Sequence, residues 1–170
     1  MVSQITAKLA VSTLKDAVSD FNFWGESESD SPLAIKRSKT PLDDKKVLSL
    51  DAAARKKAVG VEGYKPPERT VRVMGLKETF SPLVQQALTE FQAGATAVIG
   101  GAGIETLEVT AESSEYYIQL YSLFKLLDTP TSPLYVEDTG TSPDPYTGLF
   151  ITGLSSDGET IYAQALLTQT

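Results

Sequence analysis

Leu149-Phe-Ile-Thr-Gly-Leu-Ser-Ser-Asp-Gly-Glu-Thr-Ile-Tyr-Ala-Gln-Ala-Leu-Leu167 is the stretch whose reading decides the fold. Two apolar, β-favouring runs, 149–154 and 160–167, flank Ser155-Ser-Asp-Gly158, a turn whose glycine suits a positive φ. The pattern is that of a β-hairpin closing the chain. In its second strand Ile161, Ala163, Ala165 and Leu167 fall on one face by alternation, which predicts a buried strand. Thr168-Gln169-Thr170 then projects beyond it as a short tip.

Upstream, helical and extended patterns mix. Ser113 is placed to cap a helix running through Leu127, with Tyr117, Leu120, Tyr121, Phe124 and Leu127 turned inward. Ala97-Val-Ile99 and Leu107-Glu-Val109 read as strands on either side of Gly100-Gly-Ala-Gly103. Ser81-Pro82 reads as a helix start, with Leu83, Val84, Ala87, Leu88 and Phe91 on one face and Gly94 as the stop. Thr70–Met74 alternates as a strand does. Residues 38–70 are the least legible: a short helix opens near Asp51 and ends before Gly60, and Gly63-Tyr-Lys-Pro-Pro67 forms an exposed turn. Leu33–Arg37 is a short strand, and Ile5, Leu9, Leu14, Ala17, Val18 and Phe21 mark the inner face of an opening helix. With no internal repeat in 170 residues, the expectation is one α/β domain over 1–170.

Composition narrows the chemistry. There is no cysteine and no histidine, which removes thiol nucleophiles, disulfides, most zinc sites and the usual general base. No cofactor is expected, and any metal would have to be a hard ion held by oxygen ligands. No long apolar run suggests a membrane helix, and Met1-Val-Ser-Gln-Ile5 lacks the layout of a secretion signal, so the cytoplasm is the expected compartment. The net charge of −7 disfavours direct binding to nucleic acid, yet residues 36–77 hold twelve of the fifteen basic side chains. That stretch can fold onto the acidic half of the chain or present a face of opposite sign.

Candidate catalytic motifs do not add up. Gly100-Gly-Ala-Gly103 matches neither the dinucleotide nor the P-loop spacing, and a plain turn is the better reading. Ser12 with Lys15 and Ser122 with Lys125 sit one helical turn apart, but the companion motifs of a serine–lysine enzyme are missing. Glu26, Glu28 and Asp30 alternate along an acidic loop without the glycine and closing glutamate of a calcium loop. Phe23 and Trp24 precede these carboxylates, a composition suited to a protein contact, although the two rings can equally close the core behind the first helix. The chain reads as a binding protein without catalysis of its own.

Two pieces carry a family resemblance. Leu14-Lys-Asp-Ala-Val-Ser-Asp-Phe-Asn-Phe-Trp-Gly-Glu-Ser-Glu28 with its following strand, and the tail from Tyr146 through Gly153 and Gly158 to Thr170, resemble the nuclease A inhibitor family. Tyr121-Ser-Leu-Phe-Lys-Leu-Leu127 is similar to the last long helix of that family, whereas the segment 38–116 does not align. The resemblance implies a three-layer α/β/α sandwich with a largely antiparallel sheet. It also implies an inhibitor that plugs the active site of a magnesium-dependent, sugar-nonspecific DNA/RNA nuclease. Its functional positions carry over to Glu26 and Thr170, with Glu28 and Trp24 as neighbouring contacts. Glu26 would imitate a phosphate toward a catalytic arginine or lysine, and the terminal carboxylate and hydroxyl of Thr170 would approach the partner's magnesium. A binding module of the same fold with another protein partner is the alternative, and a nucleic-acid binder using residues 36–77 is a third.

Overall fold

The computed structural model of the protein describes residues 5–19, 22, 24, 25, 27, 31–139 and 145–168. Among these residues the order is α1 (Ala7–Ala17), β1 (Ala34–Ser38), α2 (Asp44–Val59), β2 (Arg69–Val73), α3 (Leu76–Ile99), α4 (Glu105–Lys125), β3 (Asp128–Asp138), β4 (Tyr146–Leu154) and β5 (Thr160–Thr168). The strands form one antiparallel sheet in the order β1-β5-β4-β3-β2. The expected C-terminal hairpin is β4–β5, with Leu154 opposite Thr160 and Gly158 at φ 82° in the turn.

Both faces of the sheet are covered. Leu149, Ile151, Ile161, Ala163, Ala165 and Leu167 pack with α1, α3 and α4 through Leu14, Phe80, Leu83, Leu120 and Phe124. The alternate residues Leu134, Val136, Phe150 and Tyr162 pack on the other side with Val47 of α2. The architecture is therefore a three-layer helix–sheet–helix sandwich. No helix among the described residues is long and apolar enough to cross a membrane.

Several local expectations are corrected. The inner face of α1 is Ala7, Ala10 and Leu14, leaving Leu9 57% exposed. Ser81 and Pro82 do not start α3 but lie within it, and Gly94 is buried mid-helix rather than ending it. An interior proline costs about 3 kcal/mol. Leu76 and Phe80 offset this by extending the apolar face one turn upstream into the core. Ala97–Ile99 and Leu107–Val109 are the end of α3 and the start of α4, not strands, and Ser113 is interior to α4.

Residues 128–138, which fall in no element expected from the sequence, form β3 in spite of Pro130 and Pro133, a residue type disfavoured in a strand with neighbours on both sides. Pro133 is accommodated where β2 gives way to α3: its carbonyl accepts from Met74 N at 2.9 Å, so the face without an N–H points at the edge strand and not at β4.

The second layer starts earlier than expected. Asp43 caps α2 by accepting from Lys46 N at 2.8 Å, and Gly60 ends it in the left-handed conformation at φ 65°. Asp51 is consequently not a cap but a buried mid-helix carboxylate, 1% exposed. Its Oδ2 lies 2.9 Å from Arg55 Nε and 2.6 Å from Arg69 Nη1. Arg55 is fully buried and reaches on to Asp138 Oδ1 at 2.6 Å and Val136 O at 3.2 Å. Gly148 makes the room: a Cβ there would stand 2.0 Å from Asp51 Oδ1 and 3.1 Å from Val136 Cβ. Burial pushes the Asp51 carboxyl above its ordinary value, against the pull of Arg69 and Arg55.

Removing Asp51 takes a buried carboxylate from both arginines: Arg55 keeps Asp138 and the Val136 carbonyl, and Arg69 keeps only the carbonyls of Pro67 and Leu48 among the described residues. Asp51→Ala is expected to lower the unfolding free energy by about 3–5 kcal/mol in urea titration. A loss under about 1 kcal/mol would show that Arg55 and Arg69 are satisfied without it.

Candidate partner-binding site

The segment between α1 and β1 is closed at its neck by one side chain. Asn22 Oδ1 accepts from Leu33 N at 2.7 Å and Asn22 Nδ2 donates to Leu33 O at 3.2 Å, imitating a strand partner. Trp24 anchors the loop from inside. It is fully buried, edge-on to Phe80 of α3 (5.4 Å) and to Tyr117 of α4 (6.1 Å). Trp24 is therefore a core residue that positions the loop, and its expected role as a surface contact is withdrawn. Gly25 follows from the same packing, because a Cβ would lie 2.9 Å from Tyr117 Oη and 3.2 Å from Leu83 Cδ2. The chain then turns back, with Ser27 N donating to Trp24 O at 3.0 Å.

Two serines sew this loop to the last strand. Thr168 N donates to Ser27 Oγ at 2.8 Å, Ser27 Oγ lies 2.6 Å from Ser31 Oγ, and Ser31 Oγ donates to Leu166 O at 2.8 Å. Because the Ser31 proton is used on Leu166, the bond between the hydroxyls runs from Ser27 to Ser31. The circuit lies beyond the start of β1, whose first pair is Ala34 with Gln164. The serine hydroxyls thus take over from the backbone ladder where β1 has ended. Ser31 adopts φ 45°, the left-handed region, while remaining 6% exposed.

Glu26, Glu28 and Thr170 lie outside the described residues, as do Phe23 and Asp30. Of their chain neighbourhoods, Gly25, Ser27 and Thr168 are described, and the circuit joins Ser27 to Thr168. Ser27 stands between Glu26 and Glu28 in the chain, and Thr168 is two residues short of Thr170, at most about 7 Å of extended chain. Nothing in the sequence pattern pointed to Ser27 or Ser31. The only available signal was the alternation of serine with acidic residues, which an exposed polar loop would share.

The basic stretch divides by residue type. Each of its arginines meets acids: Arg37 with Glu159, Arg55 with Asp51 and Asp138, Arg69 with Asp51, and Arg72 with Glu137. Its lysines, from Lys36 to Lys77, are all exposed. Two of them, Lys36 and Lys57, line a groove of about 410 Å³ that also touches Ser31 and Leu166.

The motifs set aside on sequence grounds behave as ordinary structure. In the Gly100–Gly103 turn the amides of Gly100, Gly101 and Ala102 return to the carbonyls of Thr96, Val98 and Ala97, so they close α3 instead of facing outward. Ser122 Oγ donates to Ile118 O at 2.8 Å, and Lys125 Nζ lies 5.6 Å from the centre of the Tyr121 ring. No group of three acidic side chains among the described residues is arranged to hold a metal ion. No protein-family model and no characterised protein matches the chain in sequence.

Replacing Ser27 by alanine removes the acceptor for Thr168 N–H and one link of the circuit. With a net worth of about 1 kcal/mol for such a bond, hydrogen exchange at the Thr168 amide should quicken about fivefold. Amides of Ile161–Ala165 should keep their protection. Unchanged exchange at Thr168 would show that the loop does not hold the tip.

Proposed function

We propose that the chain is a non-catalytic protein inhibitor of a magnesium-dependent, sugar-nonspecific nuclease, acting in the cytoplasm. The observation that carries this reading is the Thr168–Ser27 hydrogen bond. It ties together the two segments, far apart in sequence, that the resemblance to the nuclease A inhibitor family singled out. A plug needs both parts to arrive in one cleft at once, and with Thr168 already held few residues beyond it need ordering on entry. Glu26 offers a carboxylate to the cationic groups that normally hold the scissile phosphate. Thr170, should its carboxylate be free, would offer that group and its hydroxyl as hard oxygen ligands for the nuclease's magnesium. The overall negative charge favours encounter with a basic cleft.

One observation favours a second reading, a binding module of the same fold with a different partner. Lys36 and Lys57 line a groove that reaches Ser31 and Leu166, so positive charge borders the loop on one side. A cationic cleft approaching from that side would be repelled.

The two readings separate on inhibition assays with a magnesium-dependent nuclease recovered from the source cell on the immobilised protein. Under the inhibitor reading, Glu26→Ala weakens inhibition by about 2–5 kcal/mol with little change in melting temperature. A residue added after Thr170 should impair inhibition far more than folding. Full inhibition by the extended chain sinks the plug. No nuclease affected by the wild-type protein leaves the second reading in its place.

A further inference from the structure

Strand β1 ends the sheet, and its described pairing is with β5 alone. On the α2 side its residues Ala34 and Lys36 are exposed, and the middle of α2 meets the sheet at β5, where Gln164 Nε2 donates to Leu50 O at 3.2 Å. The space left between α2 and β1 is the 410 Å³ groove. Its floor is small and apolar, with Ala34 from the strand and Leu50 and Ala54 from the helix. Among the described residues the charged side chains lining it are Lys36 and Lys57, both exposed, and no described carboxylate lines it. Lys46 stands at the far end of the same helical stripe, with Nζ 3.1 Å from Ser38 Oγ and 2.9 Å from Thr40 Oγ1.

We propose that this groove takes an extended acidic segment of a partner protein, added beside β1 as a further strand with its carboxylates on Lys36 and Lys57. The dimensions agree: Lys46 to Lys57 spans about 16 Å of helix, and the five residues of β1 span about the same length of strand. The edge of β1 that no described strand pairs supplies main-chain donors and acceptors, and alternate side chains would meet the alanine floor on one face. A lysine on an edge strand discourages indiscriminate pairing, so an acidic strand is the one that Lys36, with Lys57 facing it from α2, admits. No aromatic side chain among the described residues lines the groove to stack a base, and the net charge of −7 opposes a phosphate backbone, which sets nucleic acid behind a peptide. The inference uses neither Glu26 nor Thr170 and stands apart from nuclease inhibition.

The test is fluorescence anisotropy of the full chain with a labelled peptide of alternating glutamate and valine. Binding is expected, about tenfold or more weaker for the Lys36→Glu, Lys57→Glu double variant. That variant should melt as the wild type does, since both lysines are exposed. Methylating alternate peptide amides should abolish binding by removing the ladder hydrogen bonds, whereas charge attraction alone would survive it. Undiminished binding by the double variant or of the methylated peptide overturns the proposal. So does preference for a single-stranded oligonucleotide of equal length over the peptide, which would make the groove a nucleic-acid surface.

Discussion

A carboxylate held under the sheet between two arginines governs much of this molecule. Asp51 joins α2 to β2 through Arg69, and its neighbour Arg55 joins α2 to β3 through Asp138 and the carbonyl of Val136. The apolar contact beneath α2 is modest, centred on Val47, Phe150 and Tyr162, so the orientation of that layer rests on the ion pairs. Burying them is costly: desolvation raises the Asp51 carboxyl even with both arginines in place. Their contribution is geometric, selecting one seat for the helix over a sheet whose glycine at 148 leaves space for an oxygen and nothing larger.

That arrangement also sets the surface. Arginine, with a planar fork of donors, is spent on internal and cross-strand pairs, and lysine is left outside. The exposed positive charge consequently collects around α2 and β1 while the molecule as a whole stays acidic. The lysine groove and the loop of alternating serines and carboxylates meet at Ser31 and Leu166. A strand end without a partner needs its polar groups satisfied, and Ser27 and Ser31 do this for Thr168 and Leu166. The loop's place at the C-terminal strand is in this sense a consequence of satisfying backbone hydrogen bonds.

What the sequence determined by itself is whatever neighbouring residues specify. The hairpin was legible because alternation and a turn glycine are local signals, and so was the inward face of Tyr117, Leu120 and Phe124 on α4. The absence of cysteine and histidine bounded the chemistry without any structure. Elsewhere local signals misled where a distant partner outweighed them. Ser81-Pro82 has the form of a helix start, but Phe80 must reach Trp24, and that packing carries the helix upstream through the proline. Pro133 speaks against a central strand, yet it faces the one edge where no N–H is required. Asp51 has the form of a cap, and only the arrival of Arg69 from the next strand makes it a buried ion. The burial of Trp24 and the meeting of Ser27 with Thr168 were likewise decided by tertiary structure alone. Each depends on bringing together groups a hundred or so residues apart in the chain, and no pattern among adjacent residues encodes that proximity.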